Sequence, residues 1–461
     1  MTVNRSRLPD IGPDPPFAFP IIVRHTLGNG LRVRTIEHPS VPVISFIVQV
    51  DGGSGSDPAD QEGLAAIVAD MIDEGSGSLS ALDVSDALSR IGADYDVDVG
   101  ADATMFGLTT LTRFADRGAS LLASLVTRPS LRQDDFARVR QLRLDRLRQL
   151  KDLAPAVAER AFLRLLYGTH PYGHLPIGND RSLRDIALPH IAEFHEGIYR
   201  PDRATLVVAG AMSHAEMVQL ARDAFGSWTG KGRASAILHQ RDVDSVVDAS
   251  GDGHARLAIV ARDGAAQSEL RIGQLATRRN TPDYPALLLM NAVLGGQFVS
   301  RVNLKLREEK GYTYGARTGF DWRRGVAPFV LQASVHTAST ADAIKDALGE
   351  IEGMTSSRPP SGDELMLARA SLTRGYPRSF ETAQQVARGV AQLALYDLPD
   401  TYFEEFIPKV HAVTVDDVVA ATRRYLDPGK LTALVVGDHG VVGDSLATLG
   451  LGAPELLPSE S

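Results

Sequence analysis

The chain contains no cysteine, so disulfides, thiolate metal sites and cysteine nucleophiles are all excluded. Basic residues are in deficit, 48 Lys and Arg against 57 Asp and Glu, for a formal net charge of −9. That balance speaks against nucleic acid or an anionic membrane as partner, and it suits solubility or a cationic peptide. No apolar run approaches the roughly 18 residues of a membrane span. The opening MTVNRSRLPDIGPDPPFAFP lacks the apolar segment of an export signal, and its prolines predict an extended arm over residues 1–20. The expectation is a soluble protein of cytoplasm or periplasm. The glycine clusters Gly52 to Gly55 and Gly295–Gly296 lack the strand–GxGxxG–helix context of a nucleotide site and read as turns. No GxSxG elbow or Ser-His-Asp set occurs.

What is present is enough for a large fold. With 461 residues and 44% hydrophobic content, two to four domains can each bury a sizeable core. Ile21 to Glu37 reads as a hairpin around Gly28-Asn29-Gly30, and Val41 to Val50 as a nearly continuous apolar strand central in a sheet. Ser80-x-x-Asp83 and Ser213-x-x-Glu216 are capping-box signals for the helices that follow. Strands are expected from about Ala93 to Thr112, and helices near Phe114–Thr127, Gln133–Lys151, Pro155–Tyr167 and Leu188–Tyr199.

The chain then repeats itself. Tyr199 to Gly210 is matched by Tyr425 to Gly437, Gly63 to Gly75 by Tyr284 to Gly296, and Leu88 to Gly92 by Leu306 to Gly311. A spacing of roughly 225 residues is too long for a solenoid unit and implies two domains of one fold. We expect domains over residues 21–229 and 254–450, a polar linker over 230–253 and a frayed tail over 451–461. Strands followed by helices, then strand and helix again, predict an α+β class. Each half should be a curved, mostly antiparallel sheet with helices packed on one side.

The stretch Asp60 to Gly75, DQEGLAAIVADMIDEG, organises the first half. Leu64, Ile67, Val68, Met71 and Ile72 recur at helical spacing, with Asp60 as cap and Gly75 as stop. Ala66, Ala69, Asp70 and Asp73 fall on the opposite face, which is expected to look into solvent or a cavity. With the glycine-rich turn before it, this stretch resembles the active-site helix of the pitrilysin/insulinase family of zinc peptidases, in the branch that includes the mitochondrial processing peptidase. The loop His170-Pro171-Tyr172-Gly173 is similar too, and the resemblance runs from about Ile21 to Gly450. In active members that helix carries His-x-x-Glu-His, two zinc ligands and a general base. The matching positions here are Ala66, Ala69 and Asp70. The resemblance puts the third ligand, a glutamate, around Asp145, Arg146 and Leu147, where Arg146 would repel a dication. A catalytic zinc takes three protein ligands, so this chain is expected to hold none of its own.

In the second half, Arg307 closes a helix stopped by Gly311, and Tyr314 opens the next strand. Read alone, a basic residue in a last turn offsets the helix dipole, and a tyrosine in a strand is ordinary. The resemblance implies more: family members carry an Arg and a Tyr at this spacing that hydrogen-bond the substrate carbonyl beside the zinc, as suits an oxyanion donor pair. His190 and His195 are about 140° apart around a helix and cannot chelate one ion. His170 and His174 read as loop braces, and Arg138, Arg140, Arg143, Arg146 and Arg148 as a solvated basic face or a surface for an acidic partner. The resemblance therefore implies the non-catalytic subunit of a heterodimeric zinc metalloendopeptidase. Its homologous partner would bear His-x-x-Glu-His and the zinc, and this chain would supply Arg307 and Tyr314 over a peptide substrate. The alternative is a metal-free binding or scaffold homologue.

Overall fold

The computed structural model describes residues 17–230 and 256–458. The expected arm as far as residue 16, the linker beyond Gly230 and the last three residues of the tail lie outside them. Strands β1 (Ile22–Thr26), β2 (Arg32–Glu37), β3 (Val43–Val50), β4 (Asp94–Val99), β5 (Thr104–Leu111) and β6 (Ala204–Gly210) form one six-stranded sheet in the order β1-β2-β6-β3-β5-β4. In the second half, β7 (Leu257–Ala261), β8 (Gln267–Thr277), β9 (Thr313–Phe320), β10 (Ala327–His336), β11 (Thr432–Gly437) and β12 (Glu455–Leu457) form the other, in the order β9-β10-β8-β11-β7-β12.

The two sheets repeat one topology. β6 runs parallel to β2 and antiparallel to β3, and β11 runs parallel to β7 and antiparallel to β8. The outer strands differ, since β1 pairs antiparallel with β2 whereas β12 pairs parallel with β7. The Tyr199–Gly210 and Tyr425–Gly437 repeat thus maps onto equivalent central strands.

The first half carries helices α1 (Leu64–Asp70), α2 (Ala81–Arg90), α3 (Ala115–Thr127), α4 (Gln133–Lys151), α5 (Ala154–Tyr167), α6 (Asp180–Asp185), α7 (Leu188–Ile198) and α8 (His214–Phe225). The second carries α9 (Tyr284–Leu294), α10 (Thr340–Gly353), α11 (Gly362–Arg374), α12 (Ala383–Leu395), α13 (Tyr402–Ala412), α14 (Val415–Tyr425) and α15 (His439–Ala447). The capping boxes read at Ser80 and Ser213 are formed. At α9 Asp283 is the N-cap, and the Thr281 hydroxyl accepts from its amide.

Apart from α5 and α12, each half's helices lie on one face of its own sheet, and the alternate residues Ile44, Phe46, Val48 and Val50 point into that core. The opposite face is covered by the other half. Ile47, Val207 and Ala209 of the first sheet pack against Val386, Ala387, Val390 and Ala391 of α12. Reciprocally, Ala258, Val260, Leu434 and Val436 of the second sheet pack against Ala158, Ala161, Phe162 and Leu165 of α5. Central strands buried on both faces read as near-continuous apolar runs, as β3, β6 and β11 do, with Ser45, Gln49, Thr205 and Thr432 as their buried polar residues.

The loop His170 to Gly173 is a joint between the halves. Arg323 is buried with its guanidinium over the Tyr167 and Tyr172 rings, at 5.0 and 4.7 Å, and donates to the Tyr172 carbonyl. Tyr172 donates through its hydroxyl to Asp102, whose other oxygen accepts from the Arg324 amide at 2.9 Å. Burial and the neighbouring carboxylate push the Tyr172 phenol far above its ordinary range, so it stays a donor.

Candidate functional site

Helix α1 is shorter than its periodicity predicts. Asp60 does not cap it; Asp57, buried, accepts from the amides of Gly63 and Ala65 at 2.7 Å each and meets His174 Nε2 at 3.0 Å. Burial pushes the Asp57 carboxyl upward against the pull of His174 and the two amides. Gly63 has φ of +95° and backs onto Gly178, whose Cα lies 2.9 Å from where a Cβ would stand, so only glycine serves there. The helix ends at Asp70, with Met71 and Ile72 buried in the following turn.

The face opposite the apolar stripe is not open at the alanines. Ala66 and Ala69 are 2% and 0% exposed, because α7, α4 and β4 close around so short a helix. Only Asp70 emerges, its side chain 44% exposed, and Arg143 Nε of α4 donates to Asp70 Oδ2 at 2.7 Å. The Arg143 side chain itself is 11% exposed and also donates to the Pro176 carbonyl. The α4 side chain that pairs with Asp70 is therefore Arg143, and none of Asp145, Arg146 and Leu147. Asp145 turns to Gln141 and Arg148, Arg146 to Gln149, and Leu147 is core. Asp145 is about 200° around α4 from Arg143, whereas Leu147, one turn on, shares its face and packs in the core.

The other α4 arginines do not make one solvated face. Arg138 pairs with Glu74 after α1, and Arg140 donates to the Ile186 carbonyl while lying over Phe136. Between these pairs Asp73 is largely buried. Burial first, then the charges of Glu74 and Asp70, raise its carboxyl to about 6.

Arg307 lies in a π-helical turn, Leu304–Glu309, that Gly311 ends with φ of +65°. Its guanidinium stacks 4.4 Å over the ring of Phe298, itself 62% exposed. Tyr314 sits in a bulge of the edge strand β9, where the register slips between Thr313 and Ala316 and the Thr313 hydroxyl bonds Gly315 and Ser334. Tyr314 is 86% exposed. Among the described residues its hydroxyl has no hydrogen bond, and no contact joins it to Arg307 or either to Asp70.

Neither histidine pair is a site. His195 is buried, with Nε2 2.9 Å from the Val126 carbonyl, and His190 Nδ1 accepts from the Ala187 amide. His170 braces its loop by accepting from the Tyr172 amide. His174, expected to brace with no carboxylate near, meets Asp57 instead, a partner 117 positions away and invisible to local reading.

Two family models match the chain. One described as Insulinase (Peptidase family M16) covers residues 32–177, and one described as Peptidase M16 inactive domain covers residues 185–372. The chain belongs to the M16, or insulinase, family of peptidases. It is similar to an uncharacterized zinc protease of Mycobacterium tuberculosis, 25% identical over 94% of this chain and 97% of that one. It is also similar to a probable mitochondrial-processing peptidase subunit beta of Schizosaccharomyces pombe, 24% identical over 60% of each. The solved peptidase M16 inactive domain from Pseudomonas fluorescens shares the fold, with a TM-score of 0.82 and 23% identity over 91% of this chain and 98% of that one.

The zinc that the family implies does not fit the residues at α1. Ala66 and Ala69 have no donor atoms, and Asp70 is paired with a guanidinium that repels a dication. Among the described residues no group of three His, Cys, Asp or Glu is arranged to hold a metal. Among them, too, no helix is long and apolar enough to cross a membrane.

Proposed function

We propose that this chain is the non-catalytic subunit of a heterodimeric zinc metalloendopeptidase, closing the substrate chamber and lending Arg307 and Tyr314 to the site of a homologous partner. The partner bears His-x-x-Glu-His, holds the zinc and supplies the general base for attack by the bound water. The observation that carries this reading is Tyr314, held out by a bulge with its hydroxyl unused, together with the Arg307 guanidinium, propped on an exposed ring in the turn that precedes the same strand. Both groups are donors suited to a developing oxyanion, and among the described residues no group of three metal-ligating side chains is set beside them. The same stretch leaves Phe298, Val299 and Leu304 exposed, an apolar surface suited to a second chain. The two halves are packed sheet-to-helix against each other, so a chamber calls for another polypeptide. Edge strands β4 and β9 leave backbone groups available to an extended peptide.

The test is co-purification with a homologue bearing His-x-x-Glu-His and a peptide-cleavage assay on each chain and on the mixture. Cleavage by the mixture alone is expected. Arg307→Ala or Tyr314→Phe should each lower its kcat by about 10²–10³. Unchanged turnover in both variants sinks the donor role, and no cleavage in any preparation favours a metal-free scaffold.

A further inference from the structure

A cavity of about 330 Å³ lies beside α1, between α4, α5 and the segment from Gly173 to Arg181. That is the lower end of the size range of small-molecule sites. Its walls are apolar where Leu147, Leu150, Val157 and Leu175 line it, and cationic where Arg160 and Arg164 do. Both arginines stand on one face of α5, four residues apart. The opposite face, Ala158, Ala161 and Leu165, is committed to the second sheet.

The two carboxylates in the lining are already engaged. Glu62 accepts from Arg164 and Asn179, and Asp180 is held in a bidentate pair by Arg184. Arg160 is different. Its hydrogen-bond acceptor is the Gly178 carbonyl, at 2.8 Å, and among the described residues no carboxylate lies within ion-pair distance of it. A half-buried guanidinium without a direct ion pair is costly unless something anionic joins it, and burial lowers its pKa although the charge of Glu62, itself bonded to Arg164 and Asn179, acts the other way. His174 stands in the same wall, which Lys151, Asn179 and Arg181 also line. Its Nε2 is oriented by the buried Asp57, and its other ring nitrogen makes no hydrogen bond among the described residues.

We propose that this cavity binds a carboxylate carried on an aliphatic body, with Arg160 and His174 on the carboxylate and the leucines around the aliphatic part. The terminal residue of a peptide and a free branched short-chain acid share this chemistry. The inference does not depend on a partner chain, so it stands or falls separately from the two-chain reading.

Isothermal titration of the full chain alone tests it, with N-acetyl-alanyl-leucine, the C-terminal amide of that dipeptide, and isocaproate as probes. The free dipeptide acid should bind at least about tenfold more tightly than its amide, with Kd below about 1 mM. Arg160→Gln should remove that difference while circular dichroism stays unchanged. Should Arg160→Gln misfold, His174→Gln serves, and the acid-against-amide comparison needs no variant. Dipeptide acid tighter than isocaproate identifies peptide ends as the source, and the reverse identifies free acids; both support the site. Equal affinity for acid and amide, no binding of any probe, or full affinity in folded Arg160→Gln overturns it.

Discussion

At the scale of the residue, the decisive pair is Asp70 with Arg143. A guanidinium here meets a carboxylate that stands where the resemblance puts a zinc-binding histidine in active members, so the local charge is balanced by a side chain and not by an ion. It follows that restoring Ala66→His, Ala69→Glu and Asp70→His is not enough, because Arg143 still repels zinc. The triple variant should bind zinc at least about tenfold more weakly than the same variant with Arg143→Glu added, measured by competition with a chromogenic chelator. Equal affinities would show that Arg143 is irrelevant to the loss. Asp73 supplies a second residue-scale prediction. Its carboxyl is raised to about 6, so the folded state holds the proton more tightly than the unfolded chain does. Ionisation therefore penalises folding above that pH, and the penalty is relieved as pH falls from about 6 towards the ordinary carboxylate range. Asp73→Asn should melt at a higher temperature than the parent at pH 7.5, with the advantage gone near pH 4. A variant less stable at both would refute this.

At the scale of the element, α5 and α12 matter most, since each belongs to one half by sequence and to the other by packing. Phe162 is 2% exposed, wedged between α5 and the second sheet, so Phe162→Ala should cost about 3–5 kcal/mol of stability in urea denaturation. A cost below about 1 kcal/mol would mean that the contact is loose. The bulge in β9 works in the other direction. It interrupts pairing to turn Tyr314 outward, giving up ladder hydrogen bonds for the direction of one side chain.

At the scale of the molecule, the exchange of helices makes the halves interdependent. Removing either would uncover a sheet face of Ile47, Val207 and Ala209, or of Val260, Leu434 and Val436. Calorimetry of the whole chain should therefore give one unfolding transition, and a fragment ending at residue 230 should not be a stable monomer. Two resolved transitions would contradict this. Of the ion pairs that also cross, Arg24 with Asp400 and Arg388 with Asp96 are partly exposed and contribute little beside the apolar contact, while Arg324 with Asp51, 2.7 Å apart, is the more buried.

The sequence by itself determined most of the elements, the repeat and the side chains without donor atoms at Ala66 and Ala69, because each is written in local spacing. Helical and strand periodicities, capping boxes and the alanines at Ala66 and Ala69 need no distant partner to be read. Periodicity also carried the overreach in α1, whose apolar stripe continues through Met71 and Ile72 although the helix stops at Asp70. What folding alone decided are the long-range meetings: Asp57 with His174, Asp70 with Arg143, Arg323 between two tyrosines, and the exchanged helices. Those pairings depend on which surfaces come together when apolar area is buried. A chain read one window at a time contains no term for that.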